Sequence, residues 1–145
     1  MQLVMQIQYK AFGKGQRRVP AYVQGPDYGG GVYHTRSGSF DPVLWNRKVG
    51  ARMDALFSAL GREFDRNPTL EAVVLPETSP SADLIHAPQP GVERYTVAIY
   101  VEALKQRMTA LRKAFPHTAV SNCSRTRRER TLIDTNSRQY RKTSS

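Results

Sequence analysis

The chain predicts an α/β fold in which parallel strands alternate with amphipathic helices. Three observations carry that prediction. Two stretches repeat apolar residues at steps of three and four, the period of a helix with one buried face. Three short runs rich in β-formers frame them, at residues 2–9, 70–75 and 117–120. The connections leaving strands are long, about 31 and 16 residues, while those entering strands span only a few. The order β-loop-α-β-loop-α-β needs helical crossovers, and such crossovers are nearly always right-handed.

Residues 2–9, QLVMQIQY, alternate in part and form the first strand. Residues 10–40 are crowded with glycine, broken by Pro20 and Pro26, and lack a helical period, which marks a loop. Asp41-Pro42 opens the first helix. Asp at the N-cap accepts free backbone N–H groups, and Pro loses no partner at the first helical position. The stripe Trp45, Val49, Met53, Leu56, Leu60 and Phe64 runs to about Asp65, and Asn67-Pro68 stops it. Gly50 and Gly61 each weaken this helix by roughly 1 kcal/mol relative to Ala, a cost the stripe outweighs. Residues 70–75, LEAVVL, suit a short strand buried on both faces. A second irregular stretch, 76–91, carries Pro80, Pro88 and Pro90. The second helix covers 93–114, with Glu93 complementing the dipole in its first turn. Its stripe is Val97, Tyr100, Val101, Leu104, Met108, Leu111 and Phe115; Pro116 ends it, and residues 117–120 begin the third strand.

With 145 residues there is room for one domain. In a (β/α)8 barrel the long connections gather at the carboxyl ends of the strands, where the site forms. An open doubly wound sheet has the same element order. No GxGxxG or GxxxxGK(S/T) follows a strand, which argues against dinucleotide and nucleotide sites. No apolar run reaches the ~18 residues of a membrane span, and no secretory leader is evident, so cytoplasmic residence without a membrane partner is expected. The single Cys123 excludes an internal disulfide and a cysteine-based zinc site. His34, His86 and His117 lack HxxxH or HxH spacing, so neither a metal nor a cofactor is expected.

The net charge of +10 divides unevenly: residues 1–120 hold 15 Lys/Arg against 10 Asp/Glu, the last 25 residues 7 against 2. This places a domain over 1–120 and a basic tail over 121–145. The tail has too little apolar content to offset chain entropy, which predicts disorder. Its pattern matches nothing upstream, and out-of-frame translation is the preferred account of it. The alternative is a small basic nucleic-acid-binding protein. Its arm of Arg125, Arg127, Arg128, Arg130, Arg138, Arg141 and Lys142 would neutralise phosphates. Tyr140 is the only aromatic interleaved there, so the arm shows no basis for specificity.

The segment FDPVLWNRKVGARMDALFSALGREFDRNPTLEAVVLPETS resembles clan-A-type glycoside hydrolases, between their third barrel helix and fourth strand. VERYTVAIYVEALKQRMTALRKAFPHTAV is similar to the following helix and the start of the fifth strand, and MQLVMQIQYK to the third strand. The resemblance covers about residues 2–120. It implies a partial (β/α)8 TIM barrel, carbohydrate as substrate, and Glu77 as the general acid/base. Burial in a partly apolar cleft raises a carboxyl pKa toward neutrality and keeps it protonated, as that role requires. The family's Asn before the acid/base is Pro76 here. The family's partner carboxylate comes from the seventh strand, which implies a truncated segment inactive alone, since retention needs two carboxyl groups roughly 5 Å apart.

Tyr9 at a strand end, and Tyr28 and Tyr33 beside the glycine cluster, are candidate platforms for a sugar ring. His34 is a candidate hydroxyl partner. Trp45 lies on the helix stripe and belongs to the core, and Asp83 reads as a solvated loop residue. A three-strand run leaves sheet edges and apolar helix faces uncovered, so self-association is expected. A complete small α/β domain that oligomerises over its edges is a third reading.

Overall fold

The computed structural model describes residues 2–80 and 82–123. β1 (Leu3–Gln6) opens the chain and is shorter than the expected 2–9 strand. Its last tie to the sheet is the Ile7 N–H to the Val74 carbonyl at 3.0 Å. Beyond it the chain turns inward and buries Tyr9, Lys10 and Ala11. The stretch expected as loop contains two single 3-10 turns, Ala21–Gln24 and Pro26–Tyr28. It also contains an antiparallel hairpin of β2 (Val32–His34) and β3 (Phe40–Pro42). Strands of three residues are too short to show a period.

α1 (Arg47–Phe64) starts later than Asp41-Pro42 predicts, with Asn46 as its N-cap. Asn46 Oδ1 accepts the Lys48 and Val49 N–H groups at 3.0 and 3.1 Å. Asp41 instead lies within β3, its carboxylate taken by the Ala11 N–H at 2.9 Å. β4 (Leu70–Leu75) matches its expected range. α2 (Val97–Ala114) begins after Thr96, whose hydroxyl accepts the Ile99 N–H at 3.1 Å. Glu93 therefore lies outside the helix, where its carbonyl accepts the Trp45 indole N–H at 2.9 Å. β5 (Ala119–Asn122) extends two residues past the expected boundary at 120. The rest of the predicted tail, with its arginines and predicted disorder, lies outside the described residues.

The main sheet has the order β1-β4-β5, and both pairings are parallel. The chain is thus mixed α/β with a parallel sheet and two helices, as the pattern predicted. No helix among the described residues is long and apolar enough to cross a membrane. α1 and α2 pack on each other, so both lie on one face of the sheet. Met5, Val73 and Val120 pair in register and face that core. Val4, Ala72 and Ala119 form the neighbouring row and point the other way. Among the described residues no element covers that row, and Val4 is 60% exposed.

Phe57, Leu111, Phe115, Val43 and Val73 form the innermost core. The expected stripe of α1 needs one correction: Leu56 is 46% exposed and Phe57 is buried. Trp45 precedes the helix, so the inward row runs Val49, Met53, Phe57 and Gly61. On α2, Val97 is exposed, while Tyr100, Ala103, Arg107 and Leu111 face inward. Gly50 and Gly61 allow the helices to approach. A Cβ at Gly50 would overlap the Arg107 guanidinium, and one at Gly61 would overlap the Ala114 carbonyl. Arg107, 6% exposed, reaches Asp54 on α1, with both Nε–Oδ1 and Nη2–Oδ2 at 3.1 Å. This pair needs the space that Gly50 leaves.

Asp65, just beyond α1, holds the entry to β5. Its Oδ1 accepts the N–H groups of His117 and Thr118, each at 3.0 Å. Burial works to raise its pKa. The His117 and Thr118 N–H donors, with the Thr118 hydroxyl and the nearby His117 ring, outweigh burial and hold the carboxyl below its usual range.

Two outcomes test this packing. Helix propensity favours Gly61→Ala by roughly 1 kcal/mol, but overlap with backbone costs about 1–3 kcal/mol. The variant's urea midpoint should fall; a rise would mean the helices do not meet there. Asp65 stabilises the fold fully above its unfolded pKa of about 3.9, and loses that effect as pH falls through the lower folded value. Asp65→Asn should therefore be less stable at neutral pH and lose less stability on acidification than the parent. Parallel acid-unfolding curves by circular dichroism would contradict this.

Candidate functional site

Parallel strands deliver their connections to one edge, here the carboxyl ends of β1, β4 and β5. The connection from β1 to α1 and the one from β4 to α2 meet there and are bonded together. Lys10, 2% exposed, donates its ammonium to the Ser79 carbonyl. The Gln89 amide clamps the backbone of His34, accepting its N–H and donating to its carbonyl, both at 2.7 Å. The Trp45–Glu93 bond makes a third tie. An irregular chain has no ladder to satisfy its polar groups, so such side-chain bonds replace it.

Glu77 stands two residues beyond the end of β4, the central strand, and is half-buried between the buried Pro76 and Thr78. A proline brings no N–H, so Pro76 leaves no buried donor to satisfy. Asp41 anchors the other connection. It is 1% exposed and accepts the Ala11 N–H at 2.9 Å and the Tyr33 hydroxyl at 3.4 Å. The Ser39 hydroxyl donates to the Ala11 carbonyl at 2.8 Å, so the hairpin grips Ala11 from both sides.

The predicted site residues separate into two groups. Tyr9 and Tyr33 are core residues, 7% and 2% exposed, and their rings pack rather than face solvent. Tyr33 lies 5.9 Å from the Trp45 ring. Burial pushes the Tyr9 and Tyr100 hydroxyls up in pKa; the Asp41 charge adds to this in both. Tyr28 and His34 remain at the surface. Tyr28 is half-buried, with its ring 5.7 Å from Tyr22, and the exposed His34 lies 4.4 Å from Phe40. Asp83 accepts the N–H and ring of His86 at 3.1 Å, and these bonds lower its pKa. Lys10 and Arg107 were not singled out from the sequence, and Asp41 was read there only as a helix N-cap. Each bonds a partner between 30 and 69 residues away, and no local pattern signals that.

Two surface clefts lie among the described residues. One, of about 250 Å³, is lined by Tyr28, Asn46, Arg47, Lys48 and Glu93 among others. Another, of about 370 Å³, lies against α2 beside Trp45 and Ile99. Glu77 lines neither. Among the described residues, no group of three or more His, Cys, Asp or Glu is placed to hold a metal ion.

Fold and edge together define an α/β chain with a strand-end carboxylate on a parallel sheet. Compared with known proteins, it matches no family model, no curated protein and no solved structure.

Removing the Asp41 carboxylate strands the buried Ala11 N–H, at about 1–3 kcal/mol for an unsatisfied group. Asp41→Ala should lower stability and speed amide exchange at Ala11 and through the hairpin before it affects α1 and α2. Asp41→Asn, which keeps an acceptor, should retain most of the protection. Unchanged exchange at Ala11 in the Ala variant would rule out the anchor.

Proposed function

We propose that the chain is a segment of a glycoside-hydrolase-like (β/α)8 barrel, with carbohydrate as substrate and Glu77 as general acid/base. The observation that carries this reading is the place of Glu77. It is half-buried, just past the carboxyl end of the central strand of a parallel sheet. Barrel enzymes draw their catalytic groups from such strand ends. The one-sided helix layer supports the same reading. A barrel wall carries helices outside, and the row Val4, Ala72 and Ala119 then faces the barrel interior.

In this role Glu77 transfers a proton to the glycosidic oxygen as the anomeric C–O bond breaks. A second carboxylate must attack the anomeric carbon or activate water. The resemblance implies that this partner comes from a later strand. Without that partner, Glu77 alone does not turn a sugar over.

The test uses a neutral oligosaccharide and a cationic iminosugar, followed by backbone amide shifts. Both should perturb Glu77, Thr78 and Ser79. Loss of a charge-assisted hydrogen bond weakens binding roughly tenfold or more. Glu77→Gln should weaken the iminosugar by that factor and leave the neutral sugar almost unchanged. If no sugar perturbs this edge, or if Glu77→Gln weakens both ligands equally, Glu77 is not the acid/base of a carbohydrate site.

A further inference from the structure

The positive charge of residues 1–120 is sorted to the same edge as Glu77. Residues 10–52 hold eight Lys/Arg against two Asp/Glu, whereas residues 53–120 hold seven against eight. The first stretch is the β1–α1 connection with the first turns of α1. Parallel strands force α1 to start at the carboxyl edge. The net excess of the body therefore lies on the face that the Glu77 reading assigns to the substrate.

Part of this charge sits on a built platform. Residues 15–17 run beside β3: the Gly15 N–H meets the Gly38 carbonyl at 3.1 Å, and the Phe40 N–H meets the Gln16 carbonyl at 3.3 Å. Together with β2 they make a small ribbon, pinned to the body through Asp41 and Ser39 at Ala11. The ribbon exposes Lys14, Arg17, Arg18 and Arg36, with His34 beside them. The Arg17 guanidinium lies 4.8 Å from the centre of the Phe40 ring, and His34 lies 4.4 Å from it. The acid within the ribbon, Asp41, is buried and already bonded. The Gln89 clamp then joins the ribbon to the connection that carries Glu77.

The geometry points to an acidic glycan as the ligand of this edge, a sugar chain bearing carboxylate groups that the ribbon's arginines and lysine engage. The inference rests on the carbohydrate reading of Glu77 and narrows its substrate class. Guanidinium groups bind carboxylates through paired N–H donors, and an arginine already stacked on a ring loses less freedom on binding. A neutral sugar chain gives such a cluster no counter-charge.

The full chain is titrated with three matched oligomers, an oligohexuronate, a neutral gluco-oligosaccharide and an oligothymidylate, and read by residue-resolved amide shifts. The oligohexuronate should shift residues 14–18 and 34–40 together with Glu77 to Ser79, and bind more weakly as salt rises. The triple substitution R17Q/R18Q/R36Q should weaken it roughly tenfold, at a fraction of that per exposed charge. It should leave the neutral sugar unchanged. Neutral and acidic sugars binding equally would overturn the acidic class and leave the Glu77 reading intact. Shifts confined to residues 124–145, or tighter binding of the oligothymidylate at the ribbon, would also overturn it. No response to either sugar would remove both readings.

Discussion

Backbone meets backbone where α1 and α2 touch, at Gly61 and Ala114. Two side chains there would hold the helices apart, and the sheet would lose its cover. With glycine at positions 50 and 61, Phe57, Leu111 and Phe115 close over β4, and Arg107 fits between the helices to reach Asp54. Burying an ion pair carries a desolvation cost, and removing one partner alone leaves a buried charge. Arg107 is buried whereas Asp54 keeps 39% of its side chain exposed, so losing Asp54 is the costlier change, because it leaves the buried Arg107 charge unpaired. Both crossovers then return on the same face, so the connections from β1 and β4 emerge side by side at the opposite end.

Those connections are irregular, yet they are tied down. Asp41, Lys10, Gln89 and Trp45 each spend a side-chain group on backbone far along the chain. A loop held by many such bonds can place a carboxylate as firmly as a strand does, and binding groups are commonly carried on loops over a rigid scaffold. Glu77 needs this support because it stands beyond the last ladder bond of β4. The same ties carry the basic ribbon toward it.

The sequence made the strands and helices legible because each carries its own period or composition. Residues 70–75 and, on α2, Tyr100, Leu104, Met108, Leu111 and Phe115 are local signals that agree with the structure. Val97, by contrast, is exposed, and Ala103 and Arg107 take inward places outside the stripe. What it hid depends on distant partners. Asp41-Pro42 has the chemistry of a helix start, but Ala11 claims the carboxylate, and Asn46 caps the helix instead. Gly50 and Gly61 look like weaknesses until α2 is in place. Tyr9 and Tyr33 look like open platforms until burial assigns them to the core. Glu77 was legible as a strand-end carboxylate, whereas the ribbon beside it was not, because β2 and β3 are too short to announce a hairpin.

Every pairing in the main sheet joins remote parts of the chain: Leu3 with Leu70, and Ala72 with Ala119. No hairpin can seed such a sheet, so each ladder waits for a crossover to close, and closure costs entropy before any contact forms. The β4–β5 crossover is the shorter and carries α2. The β1 crossover is longer, rich in glycine, and must also settle the hairpin. Kinetics then runs outward from the middle. The shorter closure favours β4, α2 and β5 joining around Phe115 and Leu111 before β1 docks, by roughly a few tenths of a kcal/mol. Of the three strands of this sheet, the first in the sequence is then the last to dock.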